Sequence, residues 1–111
     1  MTTASNEQNH YPLKLTFADA ATAKQVEFSG TADFNHYGDL AGLEILDMKR
    51  QLVGGALPER SPTAPRWSYD ESIDAFYVAA SEEHSSRQAS AHGVLQLSAS
   101  GVLVAIEFDT D

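Results

Sequence analysis

The chain has 111 residues, 42% hydrophobic and 21% charged, proportions of an ordinary globular protein rather than a disordered or fibrous one. Lys and Arg total 7 against 16 Asp and Glu, and the formal charge of −9 argues against a duplex DNA or RNA surface, where basic side chains must displace condensed counterions. No apolar run is long enough for a membrane-spanning helix, and the lack of cysteine excludes disulfides, thiolate zinc sites and thiol chemistry.

Residues 1–9 are polar and without apolar period, which predicts a mobile tail. The opening Met1-Thr2-Thr3-Ala4-Ser5-Asn6-Glu7 has neither the basic nor the apolar segment of a signal peptide, so the expected address is cytoplasmic. Residues 10–54 read as a first β unit. Its strands are Pro12 to Phe17, Gln25 to Phe28, Gly30 to Asn35 and Asp39 to Leu46, with His36-Tyr37-Gly38 as a turn. Alternation puts Ala41, Leu43 and Ile45 on one core-facing side. Asp47 is placed to cap a short helix, Met48 to Val53, with Gly54 as its left-handed stop and Met48 and Leu52 on its buried side.

Residues 55–66 hold three prolines just after the Gly54-Gly55 pair and are expected to link rather than to form helix or central strand. Residues 67–111 read as a second β unit: Trp67 to Tyr69, Ala75 to Ala80, Gln88 to Ala91, Gly93 to Ser98 and Val102 to Phe108. Val104, Ile106 and Phe108 form its core side, leaving Leu103, Ala105 and Glu107 together on the other. Each unit alone is small for an independent core, so the two are expected to pack as one compact domain.

The two units share a register. Gly101 lies 63 positions after Gly38, and the same offset relates Glu107 to Glu44, Leu103 to Leu40, Gly93 to Gly30 and Gln88 to Gln25. Leu15 with Val78, Lys24 with Arg87, Leu43 with Ile106 and Ile45 with Phe108 follow it conservatively. The fold class expected is therefore α+β, mainly antiparallel β: two pseudo-two-fold related hairpin units packed together, with one short helix near 47–53.

Tyr69, Asp70, Asp74, Ala75, Phe76 and Tyr77, followed by Gly101 and the run Val104-Ala105-Ile106-Glu107-Phe108, resemble the small bacterial domain-of-unknown-function family 2283. Its pattern opens Tyr-Asp-x-x-x-Asp-Ala-aromatic/Leu-Tyr-Ile/Val and closes with a glycine turn and a run such as Val-Val-Gly-Ile-Glu-Ile. Residues 38–46 fit the closing run as well, whereas Tyr11-Pro12-Leu13-Lys14-Leu15 lacks the opening, so the first copy reads as degenerate. The resemblance implies a small antiparallel sheet with a short helix and brings no activity, cofactor or catalytic residue.

The residues singled out for chemistry are Tyr69, Asp70, Asp74, Tyr77, Glu107 and Glu44. Asp70 and Asp74 bracket a short turn, where paired carboxylates either hold a cation or bond the turn's own amides, and the second is the simpler role. Glu44 and Glu107 lie on apolar strands, with Lys24 and Arg87 as expected partners. Trp67, Tyr69, Phe76 and Tyr77 are expected to cluster across a hairpin. His10, His36, His84 and His92 show no metal-ligand spacing, with His92 placed at the start of a strand; no serine sits in a Gly-x-Ser-x-Gly elbow, and Gly54-Gly55 opens no phosphate loop. Neither catalytic nor metal-ligating residues nor a cofactor are assigned. The expected function is a small acidic, non-catalytic protein-interaction or regulatory module, with a basic protein partner or self-association and no nucleic acid or membrane. The alternative is a small metal-binding protein or enzyme using Asp70, Asp74 and Glu107.

Overall fold

The computed structural model describes residues 11–111, so the tail expected at 1–9, and His10, lie outside the described residues. The described chain runs β1 (Leu13–Thr16), β2 (Lys24–Phe34), β3 (Leu40–Leu46), α1 (Met48–Leu52), β4 (Arg66–Asp70), β5 (Ala75–Ala79), β6 (Arg87–Leu97) and β7 (Leu103–Thr110). The seven strands form one antiparallel sheet in the order β1-β7-β6-β2-β3-β5-β4. No helix among the described residues is long and apolar enough to cross a membrane.

The expected breaks at Gly30 and Gly93 do not occur; β2 and β6 each run unbroken for 11 residues and pair along their whole length. These glycines permit close approach rather than a turn. A Cβ on Gly30 would stand 2.5 Å from the Glu44 carbonyl, and one on Gly93 would stand 2.6 Å from the Phe108 Cα. The curling sheet brings backbone where a side chain would otherwise stand.

Alternate residues of every strand point into the curl, where Phe28, Ala32, Leu43, Ile45, Leu95, Ile106 and Phe108 are buried. The curl is tight enough for Phe17, just past β1, to meet Phe76 on β5 edge to face at 6.2 Å, although four strands separate β1 from β5 in the sheet. Helix α1 drops Met48 and Leu52 into the same interior, as its spacing predicts. Tyr69 and Trp67 pack partly against it too, but Tyr77 does not belong to that cluster. Its cross-strand partners Glu44 and Ser68 put it on the outer face.

The simple alternation fails at one place in each long hairpin. The pairing slips between Asp33 and Phe34 opposite β3, and between Gln96 and Leu97 opposite β7. Ala41 and Val104 are the extra residues of these bulges and are buried outside the main cluster, while Leu103 returns to the core at 0% exposure. The expectation that Leu103 shares an outer face with Glu107 is thus corrected. Leu40 likewise packs against the core instead of lying beside Glu44.

The helix cap is also not the one expected. Asp47 has φ 54° and makes no side-chain cap bond; its carboxylate takes Arg50 at 3.0 Å instead. The helix ends at Leu52, with Val53 as well as Gly54 at positive φ. The segment 55–65 contains neither helix nor ladder strand, and β4 begins at Arg66. Within that segment Ala56 bridges Val102 and its carbonyl accepts the Leu103 N–H at 2.9 Å, tying the linker to the second hairpin.

Candidate functional site

The β4–β5 turn gathers three of the six singled-out residues. Asp70 Oδ1 accepts the Ser72 amide at 3.0 Å and the Ser72 hydroxyl at 2.6 Å, which fixes the turn that the chain makes after β4. The Ser72 hydroxyl bond holds the Asp70 carboxyl below the usual carboxylate range. Asp74, at φ 53°, turns its side chain back toward the sheet. There Oδ1 accepts the Tyr69 hydroxyl at 2.6 Å, and both oxygens accept the Lys49 amide, at 3.1 and 3.2 Å. Its carbonyl takes the Met48 amide at 3.1 Å.

Asp74 therefore caps α1 from another part of the chain. Free amides at a helix start need an acceptor, and Asp47 does not supply one. The Tyr69 bond pushes the tyrosine up to about 12 and holds Asp74 below the ordinary range. Both depressed carboxyls stabilise the fold above the unfolded-state range, about 4, and that contribution is lost as pH falls through their lower folded values. Tyr69 has the opposite sign: its contribution is complete below about 10 and is lost as pH rises toward its folded value. Asp74→Asn, which keeps an αL-tolerant residue and one acceptor, is expected to lower Tm by several degrees at pH 7 and to flatten its fall in acid. Tyrosinate absorbance should then show Tyr69 ionising at lower pH. An unchanged Tm and an unchanged alkaline titration would contradict this role.

Glu107 lies elsewhere. Strands β6, β2 and β3 lie between β7 and β5 in the sheet, and the Glu107 carboxylate is engaged on the β1 side, so it does not join Asp70 and Asp74. No group of three or more His, Asp or Glu among the described residues is arranged to hold a metal ion. Glu107 pairs with Lys14 at 3.4 Å, its cross-strand neighbour on β1. Neither Lys24 nor Arg87 fills that place: both sit at the starts of long strands, and Arg87 lies over the Phe34 ring at 4.5 Å. His92 stands in the middle of β6 rather than at a strand start, opposite Ser29. Its Nδ1 is 3.8 Å from Asp111.

Tyr77 belongs to a second polar group, on the outer face, that the sequence did not reveal. Asp33, only 8% exposed, accepts the Gln88 amide at 2.9 Å and, more loosely, the Tyr77 hydroxyl at 3.5 Å. Burial first, then the Asp33 charge, pushes the Tyr77 hydroxyl up. Gly42 makes the arrangement possible, since a Cβ there would meet the tyrosine's Cζ at 2.5 Å. Glu44, half-buried, is the direct cross-strand neighbour of Tyr77. A third group, Gln51, reaches from α1 to the Ser29 amide at 2.9 Å and its carbonyl at 3.1 Å, continuing the ladder past the end of β3.

These residues define a small curled antiparallel β domain whose motif carboxylates brace its own turn and helix. No family model matches the chain, and neither a curated protein nor a solved structure matches it.

Proposed function

We propose that the chain is a non-catalytic interaction or regulatory module for a basic protein partner. In this reading it consists of two β units of common plan, related by a pseudo-two-fold axis between β2 and β6, the second unit being the fuller copy of family 2283. Support for the common plan comes from pairing. Ser29 lies opposite His92, 63 positions later, and the β2–β6 register maps onto itself under that offset. Leu15–Ile106 on β1–β7 likewise corresponds to Val78–Leu43 on β5–β3. Even the bulge carbonyls agree: Ala41 accepts Ala80 and Ser81, and Val104 accepts Phe17 and Ala18.

The observation that carries the partner reading is the charge of the outer face. Cross-strand alternation puts Glu27, Asp33, Glu44, Glu107 and Asp109 there, on the four central strands, whose outward basic groups are limited to His92; Lys14, on the edge strand β1, neutralises one of the five. Such a face speeds encounter with a basic surface and rejects acidic ones. Asp70 and Asp74 bond within the fold, which favours this reading over carboxylate chemistry.

The test is capture from the native cell extract at low salt, with intact protein and with the triple variant Glu27→Gln, Glu107→Gln, Asp109→Asn. A basic protein retained by the intact chain, released by salt and lost with the variant is expected. Equal retention by both, or no salt-sensitive protein at all, would overturn the reading.

A further inference from the structure

Two of the chain's seven basic residues line one shallow cavity of about 240 Å³ at the start of β4, the edge strand farthest from β1, together with Ser61, Pro62, Pro65 and Trp67; they are Arg60 and Arg66. Arg60 is held in place. Its guanidinium lies 3.9 Å from the centre of the Trp67 ring, and Nη1 donates to the Trp67 carbonyl at 2.9 Å. One of five N–H donors is thereby used, and the planar fork is fixed before any ligand arrives. The Arg66 side chain is 80% exposed, and its one ion pair among the described residues is with Glu82 at 3.8 Å, an exposed and weak pair. Pro62 and Pro65 stiffen the wall between them.

We propose that this cavity binds a small oxyanion, a phosphate monoester or a carboxylate, between the Arg60 and Arg66 guanidiniums, with the ligand's apolar part against Pro62 and Pro65. Glu82 is the internal competitor that the ligand displaces from Arg66. Paired guanidiniums suit an oxyanion because each offers parallel donors to two oxygens. The inference rests on Arg60, Arg66 and Trp67 and does not depend on the basic-partner reading.

Trp67 is the only tryptophan, so its fluorescence reports on the cavity directly. Phenyl phosphate and benzoate are titrated separately against the full chain at constant ionic strength, with sodium chloride as the control. A saturable change with phenyl phosphate alone assigns a phosphate site, and one with benzoate as well assigns a general oxyanion site. Arg66→Gln is expected to weaken binding at least about tenfold, as loss of a charge-assisted bond requires, and Glu82→Gln to tighten it. Arg60→Gln should weaken it similarly; because Arg60 also braces Trp67, far-UV circular dichroism accompanies that variant, and the exposed Arg66 keeps the test valid if Arg60→Gln unfolds. No saturable change with either probe up to tens of millimolar, or equal binding by Arg66→Gln, would overturn the proposal.

Discussion

Replacing Leu103 by alanine is expected to destabilise the protein by about 2–5 kcal/mol, as much as the same change at Ile106. Simple alternation along β7 puts the two on opposite faces, and the Leu103 change would then cost far less. The bulge beside Leu97 reverses that outcome. With Val104 as the extra residue, Leu103 and Ile106 both stand in the interior at 0% exposure. Ile106 touches the level of Leu95 and Leu15, its two cross-strand partners, while Leu103 faces Leu97 near the hairpin end. A void at either site has little chance to close, since the sheet wraps it on several sides. Urea unfolding of the two single variants is the measurement, with comparable losses expected. A loss at Leu103 below about 1 kcal/mol, in the range of ordinary surface substitutions, would contradict the bulged register.

The same bulges show where the sequence was legible and where it was not. Strand type and turn position were written in β-branched runs, in Gly38 and Gly101 at positive φ, and in the regular apolar period. The helix face was likewise readable, because Met48 and Leu52 stand four apart and so share one side, which is the side that is buried. One extra residue per hairpin left no compositional mark, since alanine and valine serve equally as core or bulge. Asp47 had every local attribute of a cap, and lost the role to Asp74 because a turn 27 residues away delivers a carboxylate to the Lys49 amide. That choice is tertiary. So is the Asp33–Tyr77–Gln88 group, assembled from three strands that no sequence spacing links. Conversely, the carboxylates bracketing the β4–β5 turn behave as short-range hydrogen-bonding rules dictate, which is why Asp70 bonds Ser72 two residues on.

Separating the halves is expected to have the largest effect of all. Each half places a strand in the other's territory: β1 pairs with β7, and β5 pairs with β3. The central β2–β6 ladder joins them over 11 residue pairs, and Phe17 packs on Phe76 across the curl. A half taken alone loses both its outer strand's partner and the long central ladder, leaving too little enclosed apolar surface for a fold of about 50 residues. The chain is therefore divided at the linker, after Pro58, and residues 1–58 and 59–111 are produced separately. Circular dichroism melting with analytical ultracentrifugation decides the matter. Each piece alone is expected to be unfolded, or to fold only as a dimer that supplies the missing strands from a second copy, and mixing the two should restore a cooperative transition at one-to-one stoichiometry. A half that melts cooperatively as a monomer, or two halves that fail to restore the transition on mixing, would contradict the account.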